Sequence, residues 1–357
     1  MNKSIRVLHI VDSLQLGGAE RVAVNLSNAL AETGIETHLC VSRTDGPLHT
    51  FVSNKVKLLM LNKKSTYDVV ALLRLYKYVR NNNINVIHAH SSSVFWASLV
   101  KPRRDCVLIW HAHFGNAVES KPPHWLSLSK RKIDFAYTVN EDLKKWTVDV
   151  VGIMDTHVEY LKNYPFLDFN TELKSPLKEA GDYKIAHVAG LRREKDHLTL
   201  LRAAQKLPNC DFYLVGTDFN DSYSQEVRKF VKDNQLHNVH VLGGRTDIAA
   251  ILHYCDIGVL TSESEGLPVS LLEYGLAGLP VVCTKVGECP EVLGQGEYGF
   301  LIDKGDSEGL VSSIKQLIGD ISLRERMSKA FHDNIEHNYS KEAVINKIIE
   351  RYCQLLN

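Results

Sequence analysis

The chain is expected to be α/β, with two doubly wound, Rossmann-like parallel sheets. Three observations carry this. The apolar runs Arg6–Val11 and Lys184–Ala189 read as central strands of parallel sheets, buried on both faces. Each is followed by a glycine-bearing loop and then a segment of helical period, the opening of a doubly wound unit. And 357 residues exceed what most single cores organise, so the two alternating series read as two domains.

In the first series, Arg6–Val11 leads through Asp12-Ser-Leu-Gln-Leu-Gly-Gly-Ala-Glu20 into a helix over Arg21–Glu32. Its apolar positions are Val22, Leu26, Ala29 and Leu30, and Gly34 stops it. Strands follow at Thr37–Val41, Val56–Leu61, Val86–His90, Val107–Trp110 and Phe135–Val139. The pair Gly17-Gly18 is not a Gly-x-Gly-x-x-Gly fingerprint, so no nicotinamide or flavin site is read there. Alternation breaks at Lys162–Asn170, and Thr171–Gly181 is polar. The expected organisation is a first domain over 1–165, a linker over 166–182, a second domain over 183–338 and a closing segment over 339–357 that carries a helix from Lys341 to Leu355.

The second series runs through a helix at Leu198–Lys206, a strand at Asp211–Val215, a helix at Gln225–Asn234 and a strand at Val239–Leu242. It reaches Asp256–Leu260, a loop, and a helix over Val269–Leu276, then strands at Val281–Thr284 and Gly299–Ile302 and helices from Gly309 on.

Composition narrows the function classes. Forty-two basic residues balance 42 acidic ones, which argues against a nucleic-acid binder. Seven scattered cysteines without Cys-x-x-Cys indicate neither a disulfide framework nor a zinc knuckle, and imply reduced thiols in a cytoplasmic protein. No apolar run approaches a membrane span, and Met1 leads into a strand rather than a signal peptide.

Two stretches carry the chemistry. In Ser262-Glu-Ser-Glu-Gly-Leu-Pro-Val-Ser-Leu-Leu-Glu273, the carboxylates Glu265 and Glu273 stand with seven residues between them, one at the loop mouth and one on the helix. The amides of Gly266 to Ser270 are read as donors of a helix N-terminus, a place where an anion is stabilised. Ionised carboxylates only accept hydrogen bonds, so the pair points to hydroxyl recognition. The second stretch, Gly190-Leu-Arg-Arg-Glu-Lys195, sits between a strand and a helix; Arg192 and Lys195 are three apart and both can face one anion. Two histidine pairs, His88-Ala-His90 and His111-Ala-His113, end successive strands. Each pair faces one side of its strand, and a metal site is not the leading reading because no neighbouring carboxylate or thiolate completes a set.

Ser262, Glu265, Gly266, Pro268 and Glu273 together resemble the paired-glutamate signature of family 4 glycosyltransferases. Gly190 to Lys195 is similar to that family's Gly-Arg-Leu-x-Pro-Glu-Lys motif, with Gly190 where the arginine usually stands and Arg192 two residues later. The resemblance implies a GT-B fold, two Rossmann-like domains facing across a cleft, with the final helix crossing back to the first domain. It implies a retaining transferase that moves a hexose or N-acetylhexosamine from a UDP- or GDP-sugar to a saccharide or lipid-linked acceptor, with no metal or other cofactor. Glu265, His113, Arg192 and Lys195 take the catalytic places. Gly18, Gly190, Gly216, Arg245, Ser262, Gly266, Leu267, Pro268, Val269 and Glu273 take the donor places, Glu273 towards the ribose; Gly17 and His111 take acceptor places. Two readings of other kinds remain, a nucleotide-sugar epimerase of the same fold and a catalytically silent component of a polysaccharide assembly. Finally, the basic, partly apolar stretch Trp125–Ile133, with Lys101, Arg103 and Arg104, is a candidate for peripheral contact with the inner face of the cytoplasmic membrane.

Overall fold

A computed structural model describes residues 4–102, 105–113, 121–167, 177 and 181–357. It divides into two compact units, one of residues 1–163 with 341–357, the other of 164–340. The boundary falls at 163/164, and most of the 166–182 segment read as a linker lies outside the described residues.

The first unit runs β1 (Arg6–Ser13), α1 (Gly18–Glu32), β2 (Glu36–Thr44), β3 (Lys57–Met60), α2 (Val69–Asn81) and β4 (Val86–His90). It continues with α3 (Val94–Val100), β5 (Val107–Ala112), α4 (His124–Ser129), β6 (Phe135–Thr138), α5 (Glu141–Trp146) and β7 (Val158–Tyr160). Its seven strands are ordered β3-β2-β1-β4-β5-β6-β7 and pair in parallel. The apolar strand residues explain why: Leu8, Ile10, Ile87, Ala89, Leu108 and Trp110 fill one core between sheet and helices, while Val11, Leu39 and Val41 fill another.

The second unit runs β8 (Tyr183–Val188), α6 (His197–Ala204), β9 (Cys210–Val215), α7 (Ser222–Asp233), β10 (Val239–Gly243), α8 (Ile248–His253) and β11 (Ile257–Leu260). Then come α9 (Val269–Leu276), β12 (Val281–Thr284), α10 (Cys289–Val292), β13 (Phe300–Ile302), α11 (Ser307–Gly319) and α12 (Ile321–Asn338). The strand order is β10-β9-β8-β11-β12-β13, again parallel. Both orders reverse beside their first strand, at β1/β4 and at β8/β11, the switch points where open α/β sheets take ligands.

The last helix, α13 (Lys341–Leu356), belongs to the first unit. Tyr352 is fully buried and its hydroxyl meets His88 Nδ1 at 2.6 Å; Lys347 and Arg351 both pair with Glu159 on β7, at 2.8 and 3.1 Å. Burial of Val344, Ile345, Ile348 and Tyr352 at helical spacing is what fastens it there.

Four elements escape the sequence reading, the three-residue strand β7 and the short helices α5, α8 and α10. Among the described residues no helix is long and apolar enough to cross a membrane.

Candidate active site

The second unit's switch point is flanked by the loop after β8 and the loop after β11. Asp196 ends the first loop in the left-handed region, φ 42°, and its carboxylate caps α6 by accepting from Thr199 N at 3.2 Å. That turn aims Lys195 towards the second loop. Its Nζ donates to Glu265 Oε1 at 2.6 Å, and Ser262 Oγ donates to the same oxygen at 2.6 Å. The other carboxylate oxygen keeps its acceptor capacity. Backbone contacts stitch the two loops together: Glu263 N donates to Glu194 O at 2.8 Å, and Thr261 Oγ1 lies 3.2 and 3.0 Å from the carbonyls of Lys195 and Asp196.

A third loop, after β12, closes on the same place. Thr284 Oγ1 donates to Ser262 O at 2.7 Å, and Glu288 N donates to Gly266 O at 3.0 Å. Gly287 has φ +51°, and a Cβ there would stand 2.2 Å from Glu265 O, so both conformation and space require glycine. Thr261, Thr284 and Gly287 were not singled out from the sequence. Their signal is positional, since each ends or follows a strand at the carboxyl edge of the sheet.

Below the loops, Tyr274 fixes α9. Its hydroxyl accepts from Val188 N at 2.6 Å and lies 3.3 Å from Val259 O, and its ring occupies the space that Gly258 leaves open. Glu273, beside it on α9, is buried with 6% of its surface exposed. The amide set read over Gly266 to Ser270 needs a correction: Pro268 is the N-cap of α9 and has no N–H, so the helix presents Val269 and Ser270 as its first amides. Leu267 turns into the core at 4% exposure.

The expected pairing of Arg192 with Lys195 is also corrected. The Arg192 guanidinium lies over the Phe219 ring, 4.6 Å from its centroid, with a loose approach to Glu194 at 4.0 Å, whereas Lys195 faces Glu265. Stacking on an aromatic face suits a planar guanidinium. Arg245 forks onto Asp247 through two hydrogen bonds of 2.8 and 2.5 Å. Gly190 and Gly216 follow β8 and β9, and a Cβ on Gly216 would meet Ala189 O at 2.0 Å, so the two strand ends approach as only glycine permits.

In the first unit, Gly17 is the N-cap of α1 and Gly18 its first residue, with open space where a Cβ would stand. Across β1, β4 and β5, five histidines share one face. His9 is in register with His88, and His90 with His111. His90, His111 and His113 each place a ring nitrogen within 4.8 Å of the others. The rings meet as hydrogen-bonded rows. His9 Nδ1 is 3.0 Å from His90 Nε2, and His90 Nδ1 is 3.0 Å from His113 Nε2; with centroids 5.3 Å apart in both pairs, the rings meet edge-on. A second row joins Tyr352 to His88 and His88 Nε2 to His111 Nδ1 at 3.3 Å. His111 and His113 stack at 4.2 Å with planes 25° apart. Burial keeps these rings neutral: it pushes His9 and His113 down to about 3, and it holds His88, His90 and His111 well below the ordinary histidine range, the charge of neighbouring imidazoles adding to it. A neutral imidazole offers one donor and one acceptor, so the tautomer of His113 is tied to that of His90 and His9.

Asp12, at the end of β1, is a residue the sequence reading missed. It accepts from Lys63 Nζ and Ser42 Oγ at 2.8 and 2.5 Å and from Ser92 Oγ at 2.8 Å. Burial works against its charge, yet the bonds from Lys63, Ser42 and Ser92 hold its carboxyl below the usual range. It thereby ties the carboxyl ends of β1, β2 and β4.

Two doubly wound parallel sheets, with a lysine–glutamate contact at one switch point and imidazoles at the other, fit the GT-B glycosyltransferase scaffold. The comparisons agree. The description "Glycosyltransferase Family 4" matches residues 16–163 and "Glycosyl transferases group 1" matches residues 168–332. This chain belongs to the family 4-like glycosyltransferases. It is 22% identical to N-acetyl-alpha-D-glucosaminyl L-malate synthase of Bacillus anthracis, over 96% of this chain and 95% of that one. It is 24% identical to an Escherichia coli UDP-Gal:alpha-D-GlcNAc-diphosphoundecaprenol alpha-1,3-galactosyltransferase, over 99% and 98%. Among solved structures, Anabaena Alr3699/HepE in complex with UDP-glucose superposes with a TM-score of 0.84 at 19% identity, covering 98% of this chain and 100% of that one.

Proposed function

We propose that the chain transfers a hexose or N-acetylhexosamine, with retention, from a UDP- or GDP-sugar to a saccharide or lipid-linked acceptor in glycoconjugate assembly. The observation that carries this reading is the Lys195–Glu265 contact at the β8/β11 switch point, 2.6 Å long, with α9 starting beside it. A diphosphate leaving group gathers charge as the glycosidic bond breaks, and a lysine ammonium with first-turn amides is the stabilisation it needs. Glu265 then holds sugar hydroxyls through its remaining acceptor capacity, and Glu273 the ribose. His113, neutral, serves a sugar or acceptor hydroxyl. The relatives support the donor class: one is described as a UDP-galactose-dependent transferase to a diphosphoundecaprenol-linked sugar, and the HepE structure holds UDP-glucose. No metal enters this scheme.

A thermal-shift screen with UDP, GDP and their sugars tests it, because a ligand that binds the native state raises the melting temperature. One nucleotide series is expected to raise it. No shift with any of them removes the reading, and turnover of the donor to its epimer without acceptor would replace transfer by epimerisation.

A further inference from the structure

In the surface stretch first read as a membrane contact, three lysines are tied to the first unit's own oxygens, while Arg131 is exposed. Lys130 Nζ donates to Val151 O at 2.9 Å, Lys132 Nζ to Ser98 O at 2.7 Å, and Lys101 Nζ to Lys132 O and to Asp134 at 3.0 and 2.5 Å. Those cations are bound within the first unit; Arg103 and Arg104 lie outside the described residues.

A different face combines a larger exposed apolar surface with cations. Helix α2 packs inward through Ala71, Leu75 and Val79. Its opposite side exposes Val69 at 62%, Val70 at 70% and Leu73 at 53%, and Tyr67, just before the helix, is 87% exposed. At helical spacing Val69, Val70 and Leu73 share one arc with Tyr76, Lys77 and Arg80. The N-terminal half of that arc is thus apolar and the C-terminal half cationic. Lys77 and Arg80 form no ion pair among the described residues, while the single carboxylate nearby, Asp68, is turned to the amides of Ala71 and Lys64 as the helix cap. Between Asp45 and Asp105 the chain carries ten Lys and Arg against one acid, Asp68; three of the ten, Lys57, Lys63 and Lys101, pair with Glu36, Asp12 and Asp134.

We infer that the α2 face is a peripheral docking surface for an anionic lipid bilayer. An apolar, aromatic-bearing arc on a convex helix enters the interface between head groups and acyl chains, and the cations beside it meet lipid phosphates. A protein partner would more often be met by a groove or by carboxylates to answer its own cations, and this face has neither. The proposal stands apart from the transfer reaction, since it rests on no residue of the candidate active site.

Sedimentation with vesicles tests it. Wild-type protein is expected to pellet with vesicles of equal parts phosphatidylcholine and phosphatidylglycerol, weakly with phosphatidylcholine alone, and less as salt rises. Lys77→Ser with Arg80→Ser should lower partitioning to the anionic vesicles by about thirty-fold. Val70→Glu with Leu73→Glu should abolish it. Both pairs are on the surface, so melting temperature and nucleotide binding should stay as in wild type. Equal pelleting of the variants and wild type, or no pelleting of wild type, overturns the proposal. So does a wild-type dimer that the Val70 and Leu73 changes dissociate, because the face would then be an interface between copies.

Discussion

The two units share a strand order about their switch points and differ in what stands there. At β8/β11 an ammonium and a carboxylate meet at 2.6 Å. At β1/β4 and on to β5, five imidazoles form rows that burial keeps neutral. One scaffold therefore supports opposite electrostatics, decided by a few side chains at the carboxyl ends of strands. A charged diphosphate needs the first arrangement, and an uncharged hydroxyl can be served by the second.

The sharpest way to break this contrast is to remove its charged half. Lys195→Ala and Glu265→Ala should each lower transfer by about two to three orders of magnitude, measured as kcat/KM with the donor identified by thermal shift. Their stabilities should differ. Lys195→Ala leaves a carboxylate that is only 7% exposed with Ser262 as its remaining partner, and should cost about 1–3 kcal/mol in denaturant unfolding. Glu265→Ala leaves Lys195, 24% exposed and able to turn to water, and should cost less. Equal costs would mean the pair does not hold the loops as described.

Next in size is Glu273→Ala, which should weaken nucleotide binding about ten-fold in calorimetry while keeping most of the turnover at saturation. Unchanged affinity would remove its ribose role.

Acid should separate the two units. An ordinary histidine takes a proton near 6.5, whereas folded His9 resists until about 3. Between those values the unfolded chain binds more protons, so stability rises with pH there and is lost progressively as pH falls through the window. The first unit has five such rings in its rows; the second has His187, held well below the ordinary range, and His197 near 4, both by burial. Hydrogen exchange followed by peptide should show β1, β4 and β5 losing protection at higher pH than β8 and β11. Simultaneous loss would show that the rows do not set the acid limit.

Smallest of all, Arg192→Ala should reduce transfer only a few-fold, about 1 kcal/mol or less, because its guanidinium rests on Phe219. A loss as large as that of Lys195 would restore the two-cation clamp expected from the sequence.

Much of this was readable in the chain, for a physical reason. Val86–His90, Val269–Leu276 and Val281–Thr284 fall where their patterns put them, since buried parallel strands and the helix between them are fixed by local apolar runs. β7 was missed because three residues carry no periodicity, and α8 because the Gly243–Asp247 turn hides a single turn of helix. In the candidate site, Lys195, Ser262 and Glu265 were singled out from the sequence, and the structure brings the three together. Gly287, Thr261 and Thr284 were not, because they act through backbone carbonyls far along the chain. Asp12 was hidden likewise: its cation, Lys63, is 51 residues away. The direction of Arg192 depends on Phe219, in the next strand–helix connection, which spacing alone does not reveal.

The central claim is that a nucleotide diphosphate is held where Lys195 meets the start of α9. Calorimetric titration of the identified nucleoside diphosphate into wild type, Lys195→Ala and His113→Ala tests it most directly. The account requires affinity to collapse in Lys195→Ala and to persist in His113→Ala; equal affinity in Lys195→Ala and wild type would contradict it.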